Sequence, residues 1–181
     1  MMKKALIIID MQNDYFAAGK MALVGIDEAL SNTLHLIEFA KEKKYEIFFI
    51  EHIAQRANAS FFLPKSEGVK LHQTLNIQDG SIITKHYPNS FRETILMQEL
   101  ENKEIKNLIV CGAMTQMCVD TTVRAGFDLG FHIELVTDAC ATKDLVFNDE
   151  VIQAQDVHNA FMASLDGIFC EVKTTEMFGN E

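Results

Sequence analysis

Three polar residues, each at or just after the end of an apolar run, carry the side chains that nucleophilic hydrolysis needs. Asp10 ends the run ALIIID, Lys85 ends SIITK, and Cys118 follows NLIVC in the turn CGAMTQMC. If these runs are parallel strands of one sheet, their carboxyl ends share one edge, where open α/β sheets bind ligands. A thiol, a carboxylate and an ammonium would then meet there, and together they can attack a carbonyl group.

The turn around Cys118 is expected to make its thiol reactive. A strand ends at Cys111, Gly112 permits a tight turn, and a helix is predicted to begin near Cys118. The positive end of a helix dipole and its unpaired N–H groups favour a thiolate and can also hold an oxyanion. A nearby carboxylate could take the thiol proton and deliver it to a leaving amine. The alternative is that Cys118 is simply the first buried residue of a helix.

The composition is that of one ordinary globular domain, which we predict to span residues 1–181. Apolar residues make up 48% of the 181 positions, and the formal net charge is −10. This negative charge disfavours nucleic acid and anionic membrane surfaces as partners. The apolar runs are far shorter than the ~20 residues that cross a bilayer, and Asp10 interrupts the first run too early for a signal peptide. We therefore expect a cytoplasmic protein whose partner is a small-molecule substrate.

The other three cysteines are expected to be buried thiols. Cys111, Cys140 and Cys170 lie in or beside apolar runs, and no two cysteines of the chain form a CxxC pair. Small hydrophobic packing is the simpler role for cysteines in such positions.

Apolar runs and helical patterns alternate along the chain. The runs are rich in Ile, Val and Phe, as strands covered on both faces are, and they occupy residues 5–10, 46–50, 81–84, 107–111, 132–136 and 168–172. Helical spacing is present at 26–40 and 151–165, and Ser90 with Glu93 forms a capping-box pattern ahead of Leu96. The alternation predicts an α/β fold: a three-layer, doubly wound, Rossmann-like sandwich with a six-stranded parallel sheet of order 3-2-1-4-5-6.

One long connection interrupts this alternation. Residues 53–80 join the second and third strands with at most one short helix, near 66–75. Long loops in compact domains are commonly lids or binding loops. Phe61 and Phe62 in this loop are too apolar to be left in water, so they are expected to line a pocket or a subunit interface.

The chain resembles the isochorismatase-like cysteine hydrolases, a group that includes nicotinamidases and N-carbamoylsarcosine amidohydrolases. The resemblance covers nearly the whole chain. Its segments are ALIIIDMQNDYF at 5–16, ITKHYPNSF at 83–91, VCGAMTQMCVDTTVRAGFDLGF at 110–131 and VTDACAT at 136–142. These segments contain Asp10, Lys85 and Cys118 in the family's order and spacing.

The resemblance implies a mechanism for these three residues. The Cys118 thiolate would attack the carbonyl of a C–N bond and form a thioester, Asp10 would shuttle the proton, and Lys85 would stabilise the charged pair. The resemblance further implies a cis peptide between Ala113 and Met114, with the backbone N–H groups of Met114 and Cys118 holding the oxyanion. It also implies a homodimer or homotetramer.

Two departures from the family narrow the expected chemistry. Nicotinamidases that the chain resembles bind a metal through an Asp-x-His after the second strand, but here Ile50 takes the Asp position. Glu51 and His52 are adjacent in a predicted strand and would point to opposite faces, so we expect neither a metal nor a cofactor. Members that cleave a vinyl ether lack the thiol nucleophile, so Cys118 argues against that reaction.

Five further residues are candidates for binding substrate. Four of them also have a structural alternative: the glutamine could fix its loop, His52 and the phenylalanine could pack, and the asparagine could begin a helix. The candidates are Gln12, His52, Phe61, His86 and Asn89.

The sequence thus favours a metal-independent cysteine hydrolase that cleaves a C–N bond of a small amide, carbamoyl or lactam compound. A redox-reactive or non-catalytic Cys118 protein is the first alternative. A nicotinamidase with an altered metal site is the second.

Overall fold

The computed structural model describes residues 3–179, whose strands form one parallel sheet and one small hairpin. The sheet has the strand order β3-β2-β1-β4-β5-β8 and every pairing in it is parallel. The strands are β1 Lys4–Ile9, β2 Glu46–His52, β3 Ser81–Lys85, β4 Asn107–Ala113, β5 His132–Ala141, β6 Leu145–Phe147, β7 Glu150–Ile152 and β8 Glu171–Lys173. Since β8 is the sixth strand of the sheet, the predicted order 3-2-1-4-5-6 is confirmed.

Within the described part of the chain, four α-helices cover the two faces of the sheet. They are α1 Ile26–Glu42, α2 Leu96–Asn102, α3 Asp120–Asp128 and α4 Ala154–Leu165. Helix α1 and the short C-terminal helix Thr175–Phe178 pack on one face, whereas α2, α3 and α4 contribute to the core on the other. Helices on both faces confirm the predicted doubly wound α/β class. Among residues 3–179, no helix is both long and apolar enough to cross a membrane.

The central strand β1 shows why the apolar runs are continuous. Successive side chains of a strand point to opposite faces, and both faces here are covered. Leu6 and Ile8 therefore lie in the core under α1, whereas Ala5, Ile7 and Ile9 lie in the core on the opposite face. A strand buried on both sides needs apolar residues at every position, and this fixes β1 in the middle of the sheet.

The capping-box prediction was wrong. Ser90 is buried and its hydroxyl accepts a hydrogen bond from Thr122 at 2.9 Å, so it caps nothing. Glu93 has a φ of 55°, and α2 begins only at Leu96. The packing of Ser90 against α3 outweighs the local capping preference.

The short helix predicted near 66–75 is also absent from the structure. This segment runs alongside the residues that follow β1: the Asn13 N–H donates to the Lys70 carbonyl and the Asp14 N–H to the Gly68 carbonyl, both at 2.9 Å. These long-range backbone bonds take the groups that a helix would have paired locally.

The late helix and the last strand are both shorter than predicted. Residues 150–152 pair with β6 as β7, and α4 begins at Ala154, where the backbone N–H is bound by Asp144 at 2.7 Å. Strand β8 starts at Glu171 rather than at residue 168. The apolar residues at 151 and 152 suit either a hairpin strand or the start of a helix. Only the turn at Asn148 and Asp149 indicates that the hairpin forms.

Gly112 in β4 permits the close approach of β4 to β1. It has a φ of +123°, and a Cβ at this position would meet the backbone oxygen, nitrogen and carbon of Ile9. Asp10 follows Ile9 directly, and the Cys118 turn follows β4. Gly112 therefore lets the acidic residue and the thiol lie at adjacent strand ends.

We predict that Gly112→Ala lowers the free energy of unfolding by about 3 kcal/mol or more, because the new methyl group adds a backbone clash to an unfavourable φ. Gly130→Ala is the matched control: Gly130 has a φ of +86°, but a Cβ there would meet no atom within 4 Å, so about 1–2 kcal/mol is expected there. Urea unfolding measures both. Equal losses would mean that the approach to Ile9 is unimportant.

Candidate active site

The structure brings Asp10, Lys85 and Cys118 together at the carboxyl edge of the sheet. The Lys85 ammonium lies 2.8 Å from Oδ2 of Asp10 and 3.1 Å from the sulfur of Cys118. Asp10 and Lys85 are fully buried, and Cys118 is 6% exposed. A buried ammonium in contact with both a carboxylate and a thiol links all three groups electrostatically.

Strand ends hold two of these residues, and an irregular turn holds the third. Asp10 follows β1 with a φ of 51°, and its N–H donates to the Ile50 carbonyl of β2 at 3.0 Å. Lys85 is the last residue of β3 and is paired in register with His52. Cys118 lies in a π-helical turn, Thr115–Val119, and α3 begins only at Asp120. The α-helix predicted to start near Cys118 therefore starts after it.

The pKa values of Asp10 and Lys85 are both raised, for different reasons. Burial raises the pKa of Asp10, and the attraction of Lys85 only partly opposes this. Burial by itself would lower the pKa of Lys85, but the charges of Asp10 and Cys118 outweigh it and the pKa is raised. Lys85 is thus a permanent ammonium. Within the described residues, Oδ1 of Asp10 is buried and accepts no hydrogen bond.

The resting state of Cys118 differs from the thiolate that the sequence suggests. Burial raises the pKa of the Cys118 thiol well above its ordinary value and Asp10 raises it further, whereas Lys85 acts in the opposite direction. The cost of removing an anion from water exceeds the attraction of one ammonium. Cys118 is therefore a neutral thiol at rest, and a proton acceptor is required before it can attack.

The hydrogen-bond partners of His52 and His86 fix their tautomers. Nδ1 of His52 lies 3.1 Å from the Lys85 ammonium, which can only donate, so Nδ1 accepts and the ring proton is on Nε2. Burial, followed by the charges of Lys85, His86 and Arg56, lowers the pKa of His52 to about 3. Nδ1 of His86 donates to the Ile53 carbonyl at 2.8 Å. His52 therefore presents an N–H donor and His86 has Nε2 available.

Asp10, His52 and Cys118 also form the kind of cluster that binds metals. One ligand-type atom from each lies within 4.8 Å of those from the other two. The Lys85 ammonium, however, is in contact with a side-chain atom of all three. A divalent cation among these donors would be repelled by the ammonium that they already hold. The donor set therefore fits Lys85 and does not fit a metal.

A cavity of about 450 Å³ opens onto Cys118. Tyr15, Phe61 and Phe62 form one part of its wall and pack against one another in tilted and edge-on contacts, with ring centroids 4.6 to 5.9 Å apart. The other lining residues are His52, Ala54, Gln55, Arg56, Asn58, Ala59, Ser60, His86, Tyr87, Pro88, Met114 and Met117. A cavity of this size and character suits a small, flat molecule.

Three of the five predicted substrate-binding residues line this cavity, and two do not. His52, Phe61 and His86 lie in its wall. Gln12 is fully buried: its amide donates to the carbonyls of His52 and Val69, and its oxygen accepts from the His52 N–H at 2.8 Å. The Asn89 oxygen accepts from the Phe91 N–H at 2.9 Å. Gln12 therefore fixes the strand ends, and Asn89 shapes a local turn.

Sequence reasoning missed two aromatic residues and one arginine of the cavity. Tyr15 lies in the segment after Asp10, and Tyr87 follows Lys85 by two positions, so proximity to the catalytic candidates was the only available signal. Arg56 lies in the long loop, where no periodicity marks which side chains turn inward.

The Ala113–Met114 peptide is cis, as the resemblance implies. Met114 and Cys118 both line the cavity. Their backbone N–H groups remain the predicted oxyanion donors.

We predict that Asp10→Asn makes Cys118 react at least about threefold more slowly with iodoacetamide at pH 7.5, because the carboxylate that can accept the proton of this neutral thiol is lost. Asp149→Asn, in the exposed hairpin turn, removes the same charge far from the site and should have no effect. Mass spectrometry of the Cys118 peptide gives the rates. An unchanged rate in Asp10→Asn would mean that Asp10 does not control the thiol.

Comparisons with known proteins identify the family of this chain. The profile of the Isochorismatase domain matches residues 4–177. The uncharacterised isochorismatase family protein YddQ of Bacillus subtilis is 42% identical over 178 residues, covering 98% of this chain and 99% of that protein. Nicotinamidase 3 of Arabidopsis thaliana is 29% identical over 170 residues, covering 87% of this chain and 80% of that protein. The crystal structure of an isochorismatase from Pseudomonas putida has a TM-score of 0.88 at 34% identity, covering 96% of this chain and 89% of that chain. The chain therefore belongs to the isochorismatase family, and it is a hydrolase.

Proposed function

We propose that this protein is a metal-independent cysteine hydrolase that cleaves a C–N bond of a small amide, carbamoyl or lactam compound through a thioester. The observation that carries the proposal is the contact of the Lys85 ammonium with both Asp10 and Cys118 beneath a cavity of about 450 Å³. The similarity to a nicotinamidase supports amide hydrolysis in general.

Asp10 is the general base of the first step. When a carbonyl group lies against Cys118, the thiol proton passes to the Asp10 carboxylate, whose Oδ1 accepts no hydrogen bond from the described residues. The sulfur then forms a bond with the carbonyl carbon, and the C=O electron pair moves onto oxygen. The N–H groups of Met114 and Cys118 hold this oxyanion. Lys85 stays protonated throughout. Its ammonium stabilises the negative charge while that charge passes from Asp10 to the sulfur.

The second half of the reaction returns every group to its resting state. The oxyanion re-forms the carbonyl, the C–N bond breaks, and Asp10 donates its proton to the leaving nitrogen, which departs as ammonia or an amine. Asp10 then takes a proton from water as the water oxygen attacks the thioester. The C–S bond breaks, the acid leaves, and the sulfur regains a proton from Asp10.

The raised pKa of Cys118 bears on the redox alternative. Oxidation by peroxide proceeds through the thiolate, and burial raises the pKa of this thiol. A neutral, buried thiol is a poor redox sensor, so hydrolysis is favoured over a redox function.

We predict that wild-type protein releases ammonia or amine from at least one member of a panel of nicotinamide, carbamoyl amino acids and cyclic amides. Cys118→Ala should lower that rate by at least about 10³-fold, because the covalent step is lost. Thermal unfolding of both proteins controls for folding, and Cys111→Ala is a matched control at a buried thiol away from the cavity. Equal release by wild type and Cys118→Ala would exclude Cys118 as the nucleophile. Nicotinamide turnover would identify a nicotinamidase.

We predict that activity survives exhaustive dialysis against a chelator, because Lys85 occupies the place where Asp10, His52 and Cys118 would hold a metal. Elemental analysis of the active protein should show no stoichiometric zinc or iron. Loss of activity on chelation that added metal restores would contradict this part of the proposal.

A further inference from the structure

We propose that Arg56 binds a carboxylate of the substrate, so that the hydrolase acts on amides that carry an anionic group. This inference rests on the proposed function and assigns Arg56 as a specificity-determining residue of the same cavity. The chain contains three arginines, and their partners distinguish Arg56 from the other two.

Within residues 3–179, the Arg56 side chain differs from those of the other two arginines in having no ion-pair or hydrogen-bond partner. Arg92 forms an ion pair with Glu93 and lies 3.6 Å from the centroid of the Tyr87 ring. Arg124 binds Asp120 at 2.9 Å and stacks on an aromatic ring. Among residues 3–179, the Arg56 guanidinium has neither an ion pair nor a side-chain hydrogen bond. Its five N–H donors are therefore free to bind a ligand.

The cavity wall around Arg56 contains no carboxylate. Arg56 is accompanied there by His52 and His86, and the lining includes neither Asp nor Glu. Asp10 lies below the wall and is already paired with Lys85. Burial, and after it the charges of Lys85, His86 and Arg56, lower the pKa of His52. Among the described residues, Arg56 is thus the charged side chain of the cavity wall, while the acidic Asp10 and Asp14 act on Tyr15 from behind it.

The loop that carries Arg56 is closed at its base. The Ala54 N–H donates to the Phe62 carbonyl at 2.9 Å, and the Phe62 N–H donates to Oδ2 of the buried Asp14 at 2.6 Å. A turn inside the loop links the Ala59 N–H to the Arg56 carbonyl at 3.1 Å. Arg56 itself is exposed, and these bonds keep the backbone of its loop beside the cavity.

The chemistry of guanidinium makes a carboxylate the expected ligand. Its planar fork donates two parallel hydrogen bonds to the two oxygens of a carboxylate. Asn58 and Ser60 of the same loop also line the cavity and can add neutral hydrogen bonds. A substrate would then lie with its anionic group at Arg56 and its C–N carbonyl at Cys118, against the aromatic wall.

The first test uses Cys118 itself as the reporter and requires no substrate. Iodoacetate and iodoacetamide alkylate a thiol in the same way but differ in charge. The ratio of their rates at the Cys118 peptide should fall about fivefold in Arg56→Gln, because one positive charge near the thiol is lost. Arg56→Lys should keep most of the wild-type ratio, and Lys20→Gln, at an exposed position outside the cavity, should leave it unchanged. An equal ratio in wild type and Arg56→Gln would overturn the anion site.

The second test asks whether hydrolysis uses this site. Ammonia release is measured from succinamate and from its uncharged methyl ester, and wild type should prefer succinamate by a kcat/KM ratio that Arg56→Gln reduces at least about fivefold. Hydrolysis of both by wild type with equal kcat/KM would overturn the specificity role alone. If neither these nor any panel amide is hydrolysed, the proposed function fails, and the alkylation ratio still decides the anion site.

Discussion

The buried ion pair between Lys85 and Asp10 is the interaction on which the site depends. Neither side chain has any exposure to solvent, and the two lie 2.8 Å apart. Taking two charges out of water costs several kcal/mol per ion, which their attraction offsets only if the geometry is held closely. Strands β1, β2 and β3 hold it: β2 pairs with both neighbours, and its His52 lies beside Lys85 in register. Gln12 then ties the turn after Asp10 to the His52 backbone. An interaction that costs stability in this way is better explained by its contact with Cys118 than by folding.

The burial of the site also keeps the Cys118 thiol neutral until a substrate binds. The desolvation that raises the thiol pKa also raises the pKa of Asp10, so the base and the acid are shifted in the same direction. Proton transfer between them is then less unfavourable than either shift alone suggests. Lys85 contacts both partners and stays cationic, so it stabilises the negative charge on whichever of the two carries it. The trio works as one coupled unit rather than as a thiolate activated by a helix dipole.

The fold and the three candidate catalytic residues could be predicted because each depends on strong local signals. Near-continuous apolar runs identify strands covered on both faces, and the ends of such strands in a doubly wound sheet share one edge. Predictions failed where distant residues decided the local structure. Ser90 packs against Thr122 rather than capping α2. Residues 66–75 pair with the segment after β1. The Gln12 amide donates to backbone carbonyls of β2 and of the long loop. None of these partners lies within the window in which a local pattern is recognised.

The proposed function assigns the reaction and the choice of substrate to different parts of the structure. Asp10 and Lys85 are fixed by the sheet, and the turn that carries Cys118 follows β4, so the chemistry rests on the most buried part of the molecule. The residues that line the rest of the cavity come mainly from the loop between Ala54 and Phe62, which joins the scaffold through backbone bonds at its base. Substitutions in this loop, such as at Arg56, can change charge and shape without disturbing the buried ion pair. In the proposed function, the sheet edge supplies the reaction and the loop selects the compound that reaches the thiol.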